Sequence, residues 1–399
     1  MSATLQTNFV GIHLKNPFIL ASAPPTVSPE NIARAFEMGW GGAVIKSVQY
    51  TPRFIKQNVT PRIHAVRDKS QIIGFTNFEI GSAKTLEAWA EGILWLKQRF
   101  PENAVFASLM HTDVLKEEEW RETTRIFEQA GVDGFELNLS CSHGQAESGC
   151  GAMLGTDEEQ IKKVVSWVRE ETTKPVIPKL TALTMDVQSK GIAAKASGAD
   201  AIAAINTMSS LPGVNLKTFI PYNSVDGMSA LQGLSGKAIK PIALRCVMQL
   251  ASATNLPISA TGGIYTWQDA AEFILLGAQT LQVCSAVMEH GYGVINKLTA
   301  GLLRYMEEMD FGTIEDFRGK ALVNVTKQID LNRDYKLYAY VNAEKCIGCG
   351  KCVTACRDNN AAGAIRIEGK SAVCINDKCE GCGLCTQICP QGCISMMKK

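Results

Sequence analysis

Short apolar runs alternate along the chain with longer segments in which apolar residues recur at helical spacing. Runs that are apolar throughout are typical of parallel strands buried on both faces. We predict eight such strands, at residues 17–23, 41–47, 104–109, 132–139, 175–180, 200–206, 257–260 and 280–284. Amphipathic helices are predicted between them, for example at residues 117–130, 157–172 and 186–197.

Eight successive strand and helix units predict an α/β fold, a closed (β/α)8 TIM barrel. Pairs of glycine and a small apolar residue at 131–132, 198–199 and 277–278 fit this fold, because such a glycine ends a helix just before the next strand. A doubly wound open sheet remains the alternative, since periodicity does not give the order of the strands.

The sequence pattern divides the chain into three parts. We assign residues 1–312 to the barrel, residues 313–334 to a polar connector and residues 335–399 to a small Cys- and Gly-rich domain. This last segment is too short to fold on an apolar core alone. Short strands are predicted on either side of its two cysteine runs, at residues 338–341, 365–367, 372–375 and 394–396. The repetition indicates an internal duplication.

The cysteines have the spacing of a ferredoxin with two [4Fe–4S] clusters. Ten of the fourteen cysteines lie between Cys346 and Cys393. Two runs with the spacing C-x2-C-x2-C-x3-C hold eight of them, Cys346, Cys349, Cys352, Cys356, Cys379, Cys382, Cys385 and Cys389. In bacterial ferredoxins the fourth cysteine of each run binds the cluster of the other run. We therefore expect Cys389 to complete the first site and Cys356 to complete the second.

Two features of the cysteine runs leave room for other interpretations. Zinc is the alternative metal, although the third cysteine of each run exceeds what a tetrahedral zinc site needs. Arg357 follows the first run where ferredoxins have proline, which bears on the loop shape more than on ligation. Cys374 and Cys393 lie outside the runs, and we expect them to be small buried residues.

Charge and hydropathy exclude several classes of partner. The 40 Lys and Arg residues nearly balance the 39 Asp and Glu residues, and no basic stripe is evident, so we expect no nucleic acid partner. No segment sustains the roughly 18 apolar residues of a membrane span, and the first residues lack the pattern of a secretory leader. We therefore expect a cytoplasmic protein that does not contact a membrane.

Two lysines fall at the carboxyl ends of predicted barrel strands, where the chemistry of such barrels gathers. Lys46 ends the second strand and Lys179 lies in the fifth. An amine on an apolar inner strand is costly unless an anion meets it, and a reduced flavin carries such charge. The alternative is that each is a surface lysine at a strand end.

Glycine-rich turns follow the last strands, where a barrel of this kind binds phosphate through backbone N–H groups. They contain Gly236, the run of Thr261, Gly262 and Gly263, and the pair Cys284 and Ser285. Together with the lysines they predict an FMN site. No GxGxxG motif follows the first strand, so we expect electrons to arrive through the clusters and not from a nicotinamide bound by this chain.

The loop after the fourth strand contains the candidate proton donor, Cys141. A thiol with an ordinary pKa of about 8.5 is a competent acid near neutral pH, although a lone cysteine is often inert. His143 would tune this thiol or only order the loop, and Cys150 is a second thiol in the same loop.

Amide and carboxylate groups suited to a planar ring with several N–H and C=O groups occur at two further places. They are Asn77 and Glu79 after the second predicted strand, and Asn206 and Thr207 at the end of the sixth. Turn formation is the alternative role for both segments.

These motifs together resemble the dihydropyrimidine dehydrogenase family, in particular its bacterial subunit with FMN and two clusters, and more distantly the dihydroorotate dehydrogenases. The resemblance covers nearly the whole chain. It rests on residues 20–23, 77–79, 136–141, 179–181, 206–207, 235–236, 240–245, 260–263 and 281–285, together with the two cysteine runs.

The resemblance implies an oxidoreductase acting on a CH–CH group, in which Cys141 is the general acid. The residues implied for the substrate are Asn77, Glu79, Asn138, Leu139, Ser140, Asn206 and Thr207. Those implied for FMN are Ser22, Lys46, Ser47, Lys179, Gly236, Thr261, Gly262, Gly263, Cys284 and Ser285.

The implied reaction is reduction of the 5,6 double bond of uracil or thymine. Hydride would pass from flavin N5 to C6 and a proton from Cys141 to C5. NAD(P)H would be oxidised on a separate FAD-containing reductase subunit, or a ferredoxin-like protein would donate the electrons, so we expect a hetero-oligomer.

Several positions near the implied substrate depart from the family pattern. The residues that differ are Gly81, Ser142, Ser148, Ala182, Leu183 and Ser210. Gly81 replaces a larger apolar residue, and we expect it to enlarge the pocket. Two alternatives therefore stay open: a flavin reductase of another cyclic amide, enone or unsaturated acid, and an electron carrier without an organic substrate of its own.

Overall fold

The computed structural model describes residues 3–50, 59–111, 116–140, 152–360 and 363–398. The chain divides into two compact units, Met1–Asn324 and Val325–Lys399. Within the described residues, no helix combines the length and the apolar character needed to cross a bilayer.

The first unit contains fourteen strands and ten helices among its described residues. The strands are β1 (Thr7–Phe9), β2 (Ile12–Leu14), β3 (Phe18–Leu20), β4 (Gly42–Val44), β5 (Ile63–Asp68), β6 (Gln71–Asn77), β7 (Ala104–Leu109), β8 (Gly134–Asn138), β9 (Val176–Leu180), β10 (Ile202–Ala204), β11 (Met208–Ser210), β12 (Gln232–Ser235), β13 (Ile258–Thr261) and β14 (Ala278–Val283). The helices are α1 (Pro29–Glu37), α2 (Leu86–Arg99), α3 (Glu117–Gln129), α4 (Ala152–Thr156), α5 (Glu158–Arg169), α6 (Val187–Ala196), α7 (Lys240–Thr254), α8 (Trp267–Leu275), α9 (Ser285–His290) and α10 (Val294–Glu308).

Eight parallel strands close into a barrel in the order β3-β4-β7-β8-β9-β10-β13-β14. Closure is made by β14, which pairs in parallel with β3 and sets Leu281 opposite Phe18. Each of the eight overlaps one predicted strand, so the prediction of a TIM barrel is confirmed and the open sheet is excluded.

Local sequence explains where the outer helices begin. Ser28 accepts a hydrogen bond from the backbone N–H of Asn31 and α1 starts with a proline, both of which favour a helix start. Asp157 caps α5, and a reciprocal capping box of Thr266 and Asp269 starts α8. These caps set the direction in which each helix leaves its strand.

The barrel is closed at its amino-terminal end by the antiparallel hairpin of β1 and β2. Phe9 and Leu14 of this hairpin are buried in one cluster with Val44 and Phe106 from the barrel strands. A larger apolar core, which includes the fully buried Trp40, lies between the barrel and its helices. The apolar packing therefore occupies the amino-terminal end and the outside of the barrel, so the carboxyl ends of the strands remain available for a functional site.

A second, antiparallel sheet in the order β11-β12-β6-β5 was not predicted. It pairs Asn77 at the end of β6 with Gly233 of β12. The sheet therefore brings residues from two distant segments to the same place as the strand ends of the barrel.

The first half of the predicted connector packs against the barrel unit. Ile314 and Phe317 are buried in the core of the barrel unit. The N–H of Gly319 donates to the carbonyl of Ile274 at 2.9 Å, and a similar bond joins Ala321 to Leu275 at 3.0 Å. The boundary between the two compact units falls after Asn324, whereas the predicted barrel ended at residue 312.

The described residues of the second unit form two small antiparallel sheets and two short helices. Its elements are β15 (Leu337–Val341), α11 (Lys351–Asn360), β16 (Ile365–Glu368), β17 (Ser371–Cys374), α12 (Leu384–Ile388) and β18 (Ile394–Lys398). The strand β15 pairs with β18, and β16 pairs with β17. Its core consists largely of cysteines packed with a few small apolar side chains. Such a core is weak without the bonds that metal clusters add.

Replacing Gly301 by alanine tests the packing of α10 on α8. A Cβ atom at Gly301 would lie only 2.1 Å from Cδ1 of Trp267. We expect Gly301→Ala to lower the free energy of unfolding by about 1–3 kcal/mol through overpacking, although alanine favours a helix. Gly293→Ala is the matched control, because nothing lies within 4 Å of its added Cβ.

The measurement is urea unfolding followed by tryptophan fluorescence, which reports the first unit because all six tryptophans lie in it. A Gly301→Ala protein as stable as the Gly293→Ala protein would contradict this packing.

Candidate active site and cluster sites

A cavity opens at the carboxyl ends of the barrel strands. Its empty volume, counted out into the open mouth, is about 1040 Å³. The predicted site residues that line it are Ser22, Lys46, Ser47, Asn77, Glu79, Asn138, Lys179, Asn206, Thr207, Gly236, Thr261, Gly262, Gly263, Cys284 and Ser285. Residues assigned by sequence to FMN and to the substrate thus share one cavity.

Lys179 belongs to a buried network of polar side chains inside the barrel. Its Nζ lies 3.2 Å from Oε1 of Glu136 and 3.1 Å from Oε1 of Gln282. Nε2 of Gln282 donates to Oε2 of Glu136 at 2.5 Å and to Oγ of Ser259 at 3.1 Å. All four side chains are more than nine-tenths buried. The network therefore fixes the ammonium group at the floor of the cavity.

Lys46 is held by a second buried carboxylate. Its Nζ lies 3.0 Å from Oε2 of Glu79, whose Oε1 accepts a bond from Arg62 at 2.5 Å. Burial raises the pKa of Glu79, but the charges and hydrogen bonds of Lys46 and Arg62 outweigh it and hold that pKa below its ordinary value. Both predicted lysines are thus buried and paired, which excludes the alternative that they are surface side chains.

Amide groups on the wall of the cavity are fixed by hydrogen bonds to their neighbours. Nδ2 of Asn138 donates to Oγ of Ser47 at 3.0 Å, and its Oδ1 accepts from Nδ2 of Asn206 at 3.1 Å. Oδ1 of Asn206 accepts from the N–H of Thr207 at 2.8 Å. These bonds set which edge of each amide faces the cavity.

The third amide, that of Asn77, is oriented by the second sheet. Its Nδ2 donates to the carbonyl of Gly233 at 2.9 Å, and its Oδ1 accepts from the N–H of Glu79 at 3.1 Å. The backbone of Asn77 also connects β6 directly to the segment that carries Glu79. The unpredicted sheet is therefore what places these two residues in the cavity.

Leu139 and Ser140 do not line the cavity, although the family resemblance implies that they contact the substrate. Both are fully buried. Oγ of Ser140 accepts from Nδ2 of Asn206 at 3.1 Å, so this hydroxyl orients an amide and does not itself face the opening.

The glycine turns form a cradle of backbone atoms. Gly236 and Gly263 have φ angles of 93° and 86°, which residues with side chains rarely adopt. A Cβ on Gly263 would lie 2.7 Å from Cβ of Lys240, and one on Gly236 would lie 2.7 Å from Cα of Gly74. Oγ of Ser285 donates to Oγ of Ser235 at 2.9 Å beside them. Backbone turns of this kind present N–H groups to a phosphate.

Cys284 is a neutral thiol at ordinary pH. Burial raises the pKa of its thiol to about 11, although Lys46 and Lys179 pull that pKa down. Its Sγ lies 3.6 Å from the sulfur of Met288. Lys46, Lys179 and Cys284 all line the same cavity.

These residues fit FMN on two counts. The late turns are backbone cradles that no side chain would fit, and two buried ammonium groups line the same cavity, where an anionic ring would sit. Sequence reasoning missed Gln282, whose part in the network depends on a contact between residues 103 positions apart.

The loop assigned to proton donation lies outside the described residues. This applies to Cys141, Ser142, His143, Ser148 and Cys150.

In the second unit, cysteines of both runs surround one small cavity. Cys346, Cys349 and Cys352 of the first run line it together with Cys389 of the second, and its empty volume is about 330 Å³. The N–H of Ala372 points to Sγ of Cys346 at 3.4 Å. This grouping is the one that crossed ligation requires.

The remaining cysteines of the runs pack in the same core. Cys379 and Cys382 lie close enough to Cys385 to raise the pKa of its thiol together with burial, to about 11. Cys356 is partly buried against this core. Cys393 is buried as expected, with its Sγ 3.4 Å from Sγ of Cys389, whereas Cys374 is only partly buried.

Removing Glu136 tests the buried charge network. We expect Glu136→Gln to lower the free energy of unfolding by about 3–5 kcal/mol, because Lys179 would keep its charge without a carboxylate partner. The double variant with Lys179→Met is expected to recover part of that loss. Urea unfolding followed by tryptophan fluorescence measures both, and a double variant less stable than Glu136→Gln would contradict the pairing.

A pair of neighbouring cysteines tests crossed ligation. We expect Cys389→Ala to lose about half of the bound iron, because one cluster loses a ligand, whereas Cys393→Ala, altered only 3.4 Å away, keeps it all. Iron analysis and the electron paramagnetic resonance of the reduced protein measure the outcome. Equal iron content in the two variants would show that Cys389 is not a ligand.

The two units match two family models. The model described as dihydroorotate dehydrogenase matches residues 4–306. The model described as a 4Fe-4S dicluster domain matches residues 339–396.

Relatives match over most of their length. The NAD-dependent dihydropyrimidine dehydrogenase subunit PreA of Escherichia coli (strain K12) is 37% identical over 99% of this chain and 96% of its own. The chloroplastic dihydropyrimidine dehydrogenase (NADP(+)) of Arabidopsis thaliana is 38% identical over 82% of this chain and 79% of its own. The catalytic subunit of dihydroorotate dehydrogenase B (NAD(+)) of Pyrococcus abyssi is 36% identical over 80% of this chain and 99% of its own.

These similarities cover both units and agree with the flavin-type cavity and the paired cysteine runs. The chain therefore belongs to the family of dihydroorotate and dihydropyrimidine dehydrogenases, and it is an oxidoreductase that uses FMN and [4Fe–4S] clusters.

Proposed function

We propose that this enzyme reduces the 5,6 double bond of uracil or thymine to the dihydropyrimidine. The observation that carries the proposal is the placement of three asparagine side chains, Asn77, Asn138 and Asn206, in the cavity that also holds the two buried lysines. A relative covering 99% of the chain is named as a dihydropyrimidine dehydrogenase subunit.

The asparagines suit a pyrimidine because each amide carries both a donor and an acceptor. A pyrimidine ring alternates N–H and C=O groups along its edge, and amides fixed by neighbours recognise such an edge without further ordering. A hydrogen bond joins the side chains of Asn138 and Asn206, so the two amides would bind the ring as one unit.

FMN, when bound, would supply the hydride equivalent that adds to C6 of the ring. Lys46, Lys179, Ser22, Ser47 and the late turns with Ser285 would hold it. Cys141 would donate its proton to C5, and the thiolate that remains would take a proton from solvent. The bond between C5 and C6 thereby becomes single, with two electrons and two protons added.

Electrons would reach the barrel through the two clusters, for which we propose the eight cysteines of the two runs as ligands. We propose that NAD(P)H is oxidised on a separate FAD-containing reductase subunit, or that a ferredoxin-like donor replaces it, so that the working enzyme is a hetero-oligomer in the cytoplasm. The E. coli relative is itself named as a subunit of an NAD-dependent enzyme, which supports a partner of this kind.

A reductase of another cyclic amide is the second candidate. The observation that favours it is the buried polar side chain of Gln49, which lies behind Gly81 at the edge of the cavity.

The test is an anaerobic titration of the photoreduced protein with uracil and thymine, followed by flavin absorbance near 450 nm. We expect either pyrimidine to reoxidise the flavin. Reoxidation by other cyclic amides but by neither pyrimidine would favour the second candidate, and no reoxidation by any of them would contradict both.

Replacing Cys141 tests the proton donor. We expect Cys141→Ala to lower turnover by at least about 100-fold, the usual contribution of a positioned acid, without changing flavin or iron content. Cys246→Ala is the matched control, because Cys246 is buried in α7 and does not line the cavity. Unchanged turnover in Cys141→Ala would remove this residue from the mechanism.

A further inference from the structure

Among the described residues of the second unit, five cysteines line its small cavity, although a [4Fe–4S] cluster takes only four cysteine ligands. Four of them are the ligands expected for the first cluster, Cys346, Cys349, Cys352 and Cys389, and the fifth is Cys393. Cys393 is only 6% exposed and belongs to neither cysteine run. Its thiol is therefore left beside the cluster site without an iron atom to bind.

Cys393 contacts two of the expected ligands. Its Sγ lies 3.4 Å from Sγ of Cys389, within the range of a sulfur hydrogen bond. The thiol of Cys346 lies within hydrogen-bonding reach of the same side chain. The backbone here is fixed, because the carbonyl of Cys393 accepts from the N–H of Asn342 at 2.8 Å and the next residue, Ile394, begins β18. The thiol is therefore held beside two ligand sulfurs.

The internal duplication shows what folding requires at this position. The N–H of Ile375 donates to the carbonyl of Ala364 at 2.7 Å, as the N–H of Asn342 does to that of Cys393. Ile375 and Asn342 each lie four residues before the first cysteine of a run. Ala364 and Cys393 are each followed by a buried isoleucine that begins a strand. Ala364 is thus the counterpart of Cys393 in the other repeat, so alanine satisfies the packing and the thiol needs another explanation.

Cys374, the other cysteine outside the runs, occupies a different position. It pairs with Ile365 of β16 as Val341 pairs with Ile394 of β18, so valine is its counterpart in the other repeat. It is only partly buried, interacts with Cys379 and does not line the cavity of the first cluster. The two additional thiols therefore belong to different cluster sites.

Ligation fixes which sulfur donates in the contact between Cys389 and Cys393. A cysteine that binds iron does so as a thiolate and has no proton to donate. Cys393 binds no iron, so its S–H group is the donor and the ligand sulfur is the acceptor. Hydrogen bonds to the sulfurs help to set the reduction potential of a cluster. A donor at this place stabilises negative charge on the ligand and so favours the more negative, reduced cluster.

We propose that Cys393 is a positioning residue of the first cluster, whose S–H group bonds to the ligand sulfur of Cys389 and thereby raises the reduction potential of that cluster. It acts through a ligand and does not itself bind iron. The inference goes beyond the proposed reaction, because it concerns how readily the cluster accepts an electron and not which ring receives it.

The experiment is an anaerobic redox titration of the full chain, followed by the electron paramagnetic resonance of the reduced clusters. The midpoint potential that is missing in Cys389→Ala is assigned to the first cluster. We expect Cys393→Ala to lower this potential, with the ratio of reduced to oxidised cluster changed at least threefold, which is about 28 mV for a one-electron couple. The iron content and the potential of the second cluster are expected to stay unchanged.

Two further variants separate the hydrogen bond from packing. Cys393→Ser replaces the thiol by a hydroxyl donor and is expected to restore at least half of the shift, which a lost packing contact alone would not explain. Cys374→Val is the matched control, because it removes the other additional thiol and introduces the residue of the other repeat. We expect it to leave the potential of the first cluster unchanged.

An unchanged potential of the first cluster in Cys393→Ala would overturn the inference, and so would a potential in Cys393→Ser as low as in Cys393→Ala. An equal shift in Cys374→Val would also overturn it, because the effect would then not depend on the contact with Cys389. Loss of iron from Cys393→Ala would do the same, since Cys393 would then be a ligand. The titration contains no substrate, so its result is independent of the proposed reduction of a pyrimidine.

Discussion

Two ammonium groups are buried at the mouth of the barrel, and the cost of burying them constrains the rest of the site. Lys179 is balanced inside the barrel by Glu136, and Lys46 is balanced by Glu79. A buried charge is tolerated only with a partner and with its remaining hydrogen bonds satisfied. Glu136 of β8, Gln282 of β14 and Ser259 of β13 therefore supply buried polar partners inside the barrel.

The second sheet follows from the same constraint. Glu79 is attached to the end of β6, and the pairing of β6 with β12 fixes this strand relative to the glycine turn that begins at Gly236. One sheet thus joins the partner of Lys46, the amide of Asn77 and part of the phosphate cradle. A shift of that sheet would therefore disturb together the groups that we propose for FMN and those that we propose for the substrate.

Sequence periodicity was sufficient for the barrel because its strands are apolar on both faces. It missed β1 and β2 and all four strands of the second sheet, β5, β6, β11 and β12, because their mixed residues form no run that is apolar throughout. It placed fifteen candidate residues in one cavity because strand ends in a closed barrel converge. Substrate contacts of Leu139 and Ser140 stay predictions, because both residues are buried and neither lines the cavity. A Cβ atom on Gly81 would lie 3.1 Å from the amide of Gln49, a contact that the sequence pattern does not reveal.

The second unit was predictable for a different reason, because the spacing of its cysteines, and not an apolar pattern, identifies its fold. The spacing of each run suggests a cluster, but only the fold brings Cys389 to the three cysteines of the first run. The chain thus carries both the barrel and the cysteine-rich unit that the proposed reduction, with electrons from a partner, requires.

The central claim is that this chain, with FMN and its clusters, passes electrons to a pyrimidine ring. The most direct test supplies limiting dithionite to the isolated chain under anaerobic conditions with excess uracil, and quantifies dihydrouracil by chromatography and mass spectrometry. The account predicts about one dihydrouracil for each electron pair, because reduction of the 5,6 bond takes two electrons. Flavin and clusters that become reduced without forming dihydrouracil would contradict it.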